Sequence, residues 1–288
     1  MKQIDISKND AGQRLDKFLM KTFPKMPKSM MYKSIRNKKI KVNRRRCTFD
    51  QKLQEGDSVL LFLPPDVLET KQRTLVQNDQ LDIVYEDQNL LIINKPAGLL
   101  SQSAAAGQDC AAARVQSYLA RSGQWDPQEH SFAPAICNRL DRNTEGLVIA
   151  AKNAEALRTI NRAIARRQIR KFYRARVSGE PDEGNIELYL KKAGTKAIVR
   201  KTPAAGYKPA KMRLTVTETN GSTSWCEIEL LTGRFHQIRA CLAYLGHPLV
   251  GDRKYGYRGH ESAYHLTAFR LDFSQAPVEI DQKVITLS

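Results

Sequence analysis

Five cysteines in 288 residues are too few and too scattered to organise a fold. Cys47, Cys110, Cys137, Cys226 and Cys241 are odd in number and show no CxxC spacing, so reduced, buried thiols are expected rather than disulfides or a zinc site. No stretch approaches the roughly 18 consecutive apolar residues that a membrane-spanning helix needs. The opening residues, MKQIDISKND, lack the apolar core of a signal peptide, which sets the expectation of a cytoplasmic protein with no membrane partner. There is no GxGxxG after a strand, no GxxxxGK(S/T), no HExxH and no GxSxG. The histidines, at 130, 236, 247, 260 and 265, share no ligand spacing on a helix. An enzyme built from this chain has to work with carboxylate, arginine and tyrosine, without cofactor or metal.

Acidic residues are the other shortage. Lys and Arg number 47 against 30 Asp and Glu, a net charge of +17. Residues 1–64 hold 16 of the basic and 6 of the acidic residues, leaving 31 and 24 for the rest. A basic module attached to a milder body implies a polyanionic partner, and nucleic acid is the natural one.

Hydrophobic spacing divides the chain. In the first module AGQRLDKFLMKTF puts Leu15, Phe18, Leu19 and Phe23 on one helical face, and PKSMMYKSIRNKK opens a second helix at Pro27 and Ser29. KIKVNRRRCTF and LQEGDSVLLFLP then read as strands with turns. The expected organisation is a small basic module over 1–65, a linker over 66–80 and a larger domain over 81–288. In the larger domain LDIVYE and NLLIINKP form a hairpin across Asp87-Gln88, and helices are expected over 109–121, 153–168 and 236–246. KFYRARVSG, TSWCEIELLTGR and LTAFRLDF are strands. Without a βαβ rhythm, the fold class is α+β.

One segment joins reactive chemistry to this frame. NRLDRNTEGLVIAAKN sets Asp141 between Arg139 and Arg142, turns through Asn143-Thr144-Glu145-Gly146, and enters an apolar strand. Flanking guanidinium groups favour an ionised carboxylate, which suits a structural salt bridge or a nucleophile. Composition alone leaves both open.

The same segment resembles the signature of the RluA-type pseudouridine synthases, His-Arg-Leu-Asp-Arg-x-Thr-Ser-Gly followed by an apolar strand. Three further pieces follow that family's order: IVYEDQNLLIINKPAGLLSQ, KFYRARVSG and LLTGRFHQIRACLAYLGHPLVGDRKYG. The N-terminal module, from QRLDKFL through IKVN to EGD, is similar to the RNA-binding domain named after a small-subunit ribosomal protein. The resemblance implies a mixed, largely antiparallel β-sheet catalytic domain with flanking helices. It implies Asp141 as catalytic aspartate, Tyr173 as the residue stacking on the target base, and Arg234 as the arginine paired with the carboxylate. Arg139 would occupy the space left by a flipped nucleotide, Arg142 would contact RNA, and Ile238 would line the pocket. Lys33, Arg36, Lys41 and Arg44 are the expected RNA contacts of the small module.

The implied reaction breaks the bond from ribose to uracil N1, turns the base and rejoins it through C5. Nothing is oxidised or added, which agrees with the missing cofactor motifs. One carboxylate suffices, attacking the anomeric carbon or abstracting the adjacent sugar proton. Retaining glycosidases use a second carboxylate roughly 5 Å away to deliver water. Here the enzyme must hold a detached base instead, which calls for an aromatic platform. The target base leaves its stack at a cost of a few kcal/mol. The expected partner is ribosomal RNA ahead of transfer RNA, bound by a monomer. The chain departs from the family pattern at Asn138, Glu145, Gln102 and Cys241, and Arg44 stands where glycine is usual. A second reading, a non-catalytic RNA-binding or ribosome-assembly protein that keeps the fold, is sustained by those departures. A third, a glycosidase of free nucleosides, is opposed by the charge distribution.

Overall fold

Separate hydrophobic clusters on either side of a polar connector, one before it and two after it, explain the division of the chain. The computed structural model describes residues 1–70, 73–103, 105 and 107–287. In the first cluster, strand β1 (Lys2–Asp5) precedes helices α1 (Leu15–Thr22) and α2 (Lys28–Arg36) and strands β2 (Ile40–Val42), β3 (Arg45–Arg46) and β4 (Ser58–Leu61). The strands form an antiparallel sheet ordered β1-β4-β2-β3. Leu15, Phe18, Leu19 and Phe23 are all fully buried, as their spacing requires, and Met31 and Ile35 anchor α2 beside them. Each such side chain contributes roughly 1.5–3 kcal/mol on burial. Helix α2 starts on Pro27 without a side-chain cap, and Ser29 lies inside it instead of capping it. Asn43 and Arg44 both take positive φ in the turn joining β2 to β3.

The described part of the expected linker makes specific contacts despite its polar sequence; residues 71 and 72 lie outside the described residues. From Arg73 onward it lies against the larger domain. Arg73 Nη1 donates to the carbonyls of Pro127 and Glu129, and Nη2 to that of Phe132, at 2.6–2.9 Å. Val76 is buried and its N–H donates to Ser117 Oγ at 2.9 Å.

The larger domain runs β5 (Asp82–Glu86), β6 (Leu90–Lys95), α3 (Ala111–Arg121), β7 (Ala135–Ile136), β8 (Glu145–Ala151), α4 (Ala154–Ala165), β9 (Arg170–Ser178), β10 (Gly184–Ala193), β11 (Lys196–Arg200), β12 (Lys208–Thr219), β13 (Thr223–Leu230), α5 (Gln237–Tyr244), β14 (Leu266–Asp272) and β15 (Val284–Thr286). Its sheet has the order β11-β10-β12-β13-β9-β14-β8-β6-β5, with β7 added to β8 and β15 to β14. All pairs are antiparallel except a short parallel contact of β8 with β14. The α+β class and the largely antiparallel sheet are therefore as expected.

The apolar runs explain the layering. In β6, Leu91 and Ile93 enter one core with α3 and α5, while Leu90 and Ile92 enter a second core with α4 and the C-terminal segment. β8 divides in the same way, Val148 and Ala150 against Leu147, Ile149 and Ala151. A strand covered on both faces needs an unbroken apolar sequence. Helix α4 is capped as expected, Asn153 Oδ1 accepting from Ala156 N at 2.8 Å.

Candidate active site

The segment that carries Asp141 is bolted to the loop after β6 before it enters β8. Leu140 N donates to Ser101 Oγ and Ser101 Oγ donates to Leu140 O, at 2.9 and 2.7 Å. Gly98 N donates to Arg142 O and Arg142 Nε to Gly98 O, both at 2.9 Å. Lys95 is fully buried beneath, its ammonium shared among the carbonyls of Pro96, Leu99 and Arg142. Burial pulls the Lys95 ammonium down to about 8, against the opposing pull of Asp141 and Glu145. Asn138, where the family pattern has His, clamps the start of the loop to β8, its amide donating to Leu147 O and accepting from Ile149 N. Asp141 is therefore presented on a loop with little freedom of its own.

Gly146 makes this geometry possible. Its φ is 115°, and a Cβ would fall 2.6 Å from Ala268 N and closer still to that residue's carbonyl oxygen. Only glycine lets β8 meet β14 so closely. Glu145, the neighbouring departure, accepts from Thr267 Oγ1 at 2.7 Å, so its carboxylate faces across the strand pair.

A cleft of about 970 Å³ opens over Asp141. Asp141 is the only acid among its described lining residues, against seven bases: Arg139, Arg142, Lys171, Lys192, Arg234, Arg239 and Lys254. Such a concave basic surface concentrates a polyanion. Tyr173 and Ile238 also line it, both nearly buried. Burial raises the Tyr173 phenol above its ordinary value, and the Asp141 charge adds to the rise, so the ring faces the cleft as an uncharged surface.

The partner of the carboxylate differs from the expected one. Arg234 Nε donates to Pro209 O at 3.0 Å, and its backbone N–H is held by Gln237 Oε1. The turn thus carries its side chain along the end of β12 instead of onto Asp141. Arg239, within α5, takes that place, its Nη1 3.4 Å from Asp141 Oδ2. The Arg239 Nε and Nη2 grip buried Asp252 at 2.7 and 2.9 Å, and the guanidinium lies over the Tyr255 and Tyr264 rings. Burial opposes the charge on Arg239, but the Asp252 hydrogen bonds, Tyr264 and the charges of Asp252 and Asp141 outweigh it and raise its pKa. His236 Nε2 lies 3.7 Å from the same Asp141 oxygen. Both of these contacts fall on Oδ2, and Oδ1 makes no hydrogen bond among the described residues. Asp141 keeps a side-chain exposure of 26%, open to the cleft.

Asp141, Tyr173, Ile238, Arg139, Arg142 and Arg234 are thus brought together in one cleft. Lys33, Arg36 and Arg44 are exposed on the small module and Lys41 is half-buried there. Sequence reasoning missed Arg239, His236, Asp252 and Lys95. His236 precedes the first residue of α5 and Arg239 lies in its first turn, close in sequence, but a helix-borne arginine reads equally well as a solvated charge. Among the described residues no three His, Cys, Asp or Glu side chains converge as metal ligands, and no helix is long and apolar enough to cross a membrane.

The chain is similar to known proteins over the segments that carry this cleft. The RNA pseudouridylate synthase pattern matches residues 89–244, spanning every loop and strand that frames the cleft from β6 to α5. The ribosomal large subunit pseudouridine synthases C of Vibrio parahaemolyticus and Vibrio cholerae are 31% and 32% identical, each over 88% of this chain and 80% of their own. An RNA pseudouridine synthase of Mycoplasma capricolum is 32% identical over 98% of this chain and 94% of its own. The human RNA pseudouridylate synthase domain containing 4 shares the fold, with a TM-score of 0.58 at 21% identity over 72% of this chain and 87% of that one. With a family pattern across more than half its length and relatives above 30% identity, the chain belongs to the RNA pseudouridylate synthase family.

Proposed function

We propose that the chain isomerises uridine to pseudouridine in ribosomal RNA, with Asp141 as the reacting carboxylate. The observation that carries this reading is a single acid, one oxygen without a hydrogen bond among the described residues, on the floor of a cleft whose other charged lining residues are Lys and Arg. Arg239, fixed by Asp252, holds the carboxylate in place while leaving Oδ1 to approach the ribose. Tyr173 offers a flat, uncharged surface on which uracil stacks while detached and turning. Its neutrality matters, because a phenolate would repel both the base and the Asp141 charge. Arg139, exposed on the loop beside Asp141, fills the gap left by the extruded nucleotide, and Arg142 and Arg234 contact phosphate. The carboxylate either bonds to C1′ or takes the C2′ proton; both routes use the same geometry.

Residues 1–65 serve as the RNA-binding module, with Lys33, Arg36, Lys41 and Arg44 on phosphate, joined by 66–80 to a catalytic domain over 81–288. Ribosomal RNA is favoured by the names of the relatives and by this basic module. The enzyme acts as a cytoplasmic monomer.

Asp141→Asn tests the assignment. Its shape is preserved and its negative charge is gone, so turnover should fall by more than about 10³-fold. Pseudouridine mapping of ribosomal RNA from cells carrying the variant should lose at least one site. A map identical to that of wild type defeats the catalytic reading and leaves an RNA-binding protein on a synthase fold.

A further inference from the structure

Behind Asp141 a chain of polar groups runs back into the sheet. The Ala197 N–H, on β11, donates to the Tyr255 hydroxyl at 2.8 Å. The same hydroxyl lies 2.8 Å from His236 Nδ1, and His236 Nε2 faces Asp141 Oδ2 at 3.7 Å. The imidazole has little room to turn. It stacks on Phe235 with ring centres 3.8 Å apart, meets Tyr255 edge-on, and hangs from a left-handed backbone at φ 52°.

The hydrogen-bond inventory decides where the protons lie. A backbone N–H only donates, so the Tyr255 oxygen accepts on the Ala197 side and keeps its own proton to give. Among the described residues the one acceptor within reach of that proton is His236 Nδ1. With the imidazole proton on Nδ1 instead, the tyrosyl proton would have no acceptor, and a bare Nε2 lone pair would face a carboxylate oxygen. Both penalties vanish when Tyr255 donates to Nδ1 and the imidazole carries its proton on Nε2.

We propose that Tyr255 sets the tautomer of His236, so that its Nε2–H is directed at Asp141 Oδ2 and, together with Arg239, reserves Oδ1 for the ribose. His236 and Tyr255 are positioning residues, acting through the carboxylate. The inference rests on the proposed role of Asp141. Burial holds the imidazole below its ordinary range, against the pull of Asp141, which keeps it the neutral ring this arrangement needs.

Nitrogen-15 NMR of the histidine side chains reads the tautomer directly on the unmodified protein, with His236→Gln identifying the His236 signals by their loss. The expected spectrum has an unprotonated Nδ1 and a protonated Nε2; the opposite assignment overturns the proposal. Tyr255→Phe removes the donor while keeping the ring over Arg239. It should move His236 towards a mixture of tautomers and lower kcat about tenfold with KM for RNA unchanged, less than the 10²–10³ that loss of a direct donor to a reacting oxygen costs. An unaltered tautomer together with unaltered kcat in that variant also overturns it. The nitrogen shifts are measured whether or not the protein turns over RNA. A failed activity assay therefore counts against the proposed function, and a wrong tautomer against this inference.

Discussion

The large sheet has two unlike halves. Strands β6 and β8 are covered on both faces, one by α3 and α5, the other by α4 and the C-terminal segment. Strands β9, β10, β12 and β13 turn one face to the core, through residues such as Ala175, Leu188, Met212 and Ile228. Their other face carries Arg170, Arg213, Glu227 and Glu229, with Phe172 beneath the guanidinium groups of Arg170 and Arg270. The reactive loop hangs from the doubly covered half, and Tyr173 comes from the first strand of the other. The difference teaches where rigidity is invested. The carboxylate must not move, so its loop leads into a strand with no solvent on either side. The stacking platform needs only a flat ring held from behind.

That contrast is sharpest between ion pairs. The Arg239–Asp252 pair is buried, with side-chain exposures of 7% and 1%. Removing one partner of such a pair costs about 3–5 kcal/mol, because the other is left buried and charged. Arg239→Met should therefore lose that much in urea unfolding as well as its hold on Asp141. Adding Asp252→Asn should recover part of the stability and none of the activity. A loss under about 1 kcal/mol for the single variant would mean that the floor of the cleft is far wetter than its packing indicates.

Lys95 tests the doubly covered half through pH. Its folded value of about 8 lies below its ordinary 10.5, so the folded state releases this proton first. Between those values the unfolded chain binds more protons, and the Lys95 contribution to stability rises with pH, by about 3 kcal/mol at most. Buried thiols oppose it: Cys137 and Cys241 are each pushed up to about 12 by burial, and a raised acid loses stability as pH rises. The informative quantity is the difference between wild type and Lys95→Met, measured by urea unfolding at pH 8 and pH 10. That difference should change in favour of wild type as pH rises; a pH-independent difference would mean that burial does not hold the Lys95 ammonium below its ordinary value.

The two halves also differ in how plainly they could be read. NLLIIN and GLVIAA are recognisable because burial on both faces demands apolar residues at successive positions. Residues 184–219, which form the β10, β11 and β12 strands, passed without assignment. Their segments, such as NIELYLKKA and KAIVRK, alternate apolar with charged residues, as one solvated face requires. β1, with KQID, was hidden for the same reason. The site was legible where the chemistry needs residues close in sequence, at Asp141 and its flanking arginines. The Arg239–Asp252 pair was not, since 13 residues separate the two and only the fold brings them together. Arg234 was expected from the resemblance of its TGR turn to the family block, whereas the fold turns it to Pro209 and sets Arg239 beside Asp141.

At the seam between the halves, Gly146→Ala asks how much the close approach of β8 and β14 matters. A non-glycine residue in that strained backbone region costs on the order of 1–3 kcal/mol, and the collision with the Ala268 backbone adds to it. A loss of about 2–3 kcal/mol is expected in thermal or urea unfolding, with turnover reduced because the strand start carries the Asp141 loop. Full stability with full activity would show that the seam is not held as tightly as its register implies.

The smallest effect lies on the solvated face of the outer half. Lys211 and Glu187 sit directly opposite on β12 and β10, 2.9 Å apart, with side-chain exposures of 41% and 49%. Water screens the attraction and two long side chains lose freedom to meet, so a double-mutant cycle with Lys211→Ala and Glu187→Ala should give about 0.2–1 kcal/mol of coupling, shrinking as salt is raised. Turnover should not change, because neither residue lines the cleft. A coupling of about 2 kcal/mol or more would break the comparison. It would mean that the outer face is shielded in solution, and that the two halves of the sheet are more alike than their side chains make them.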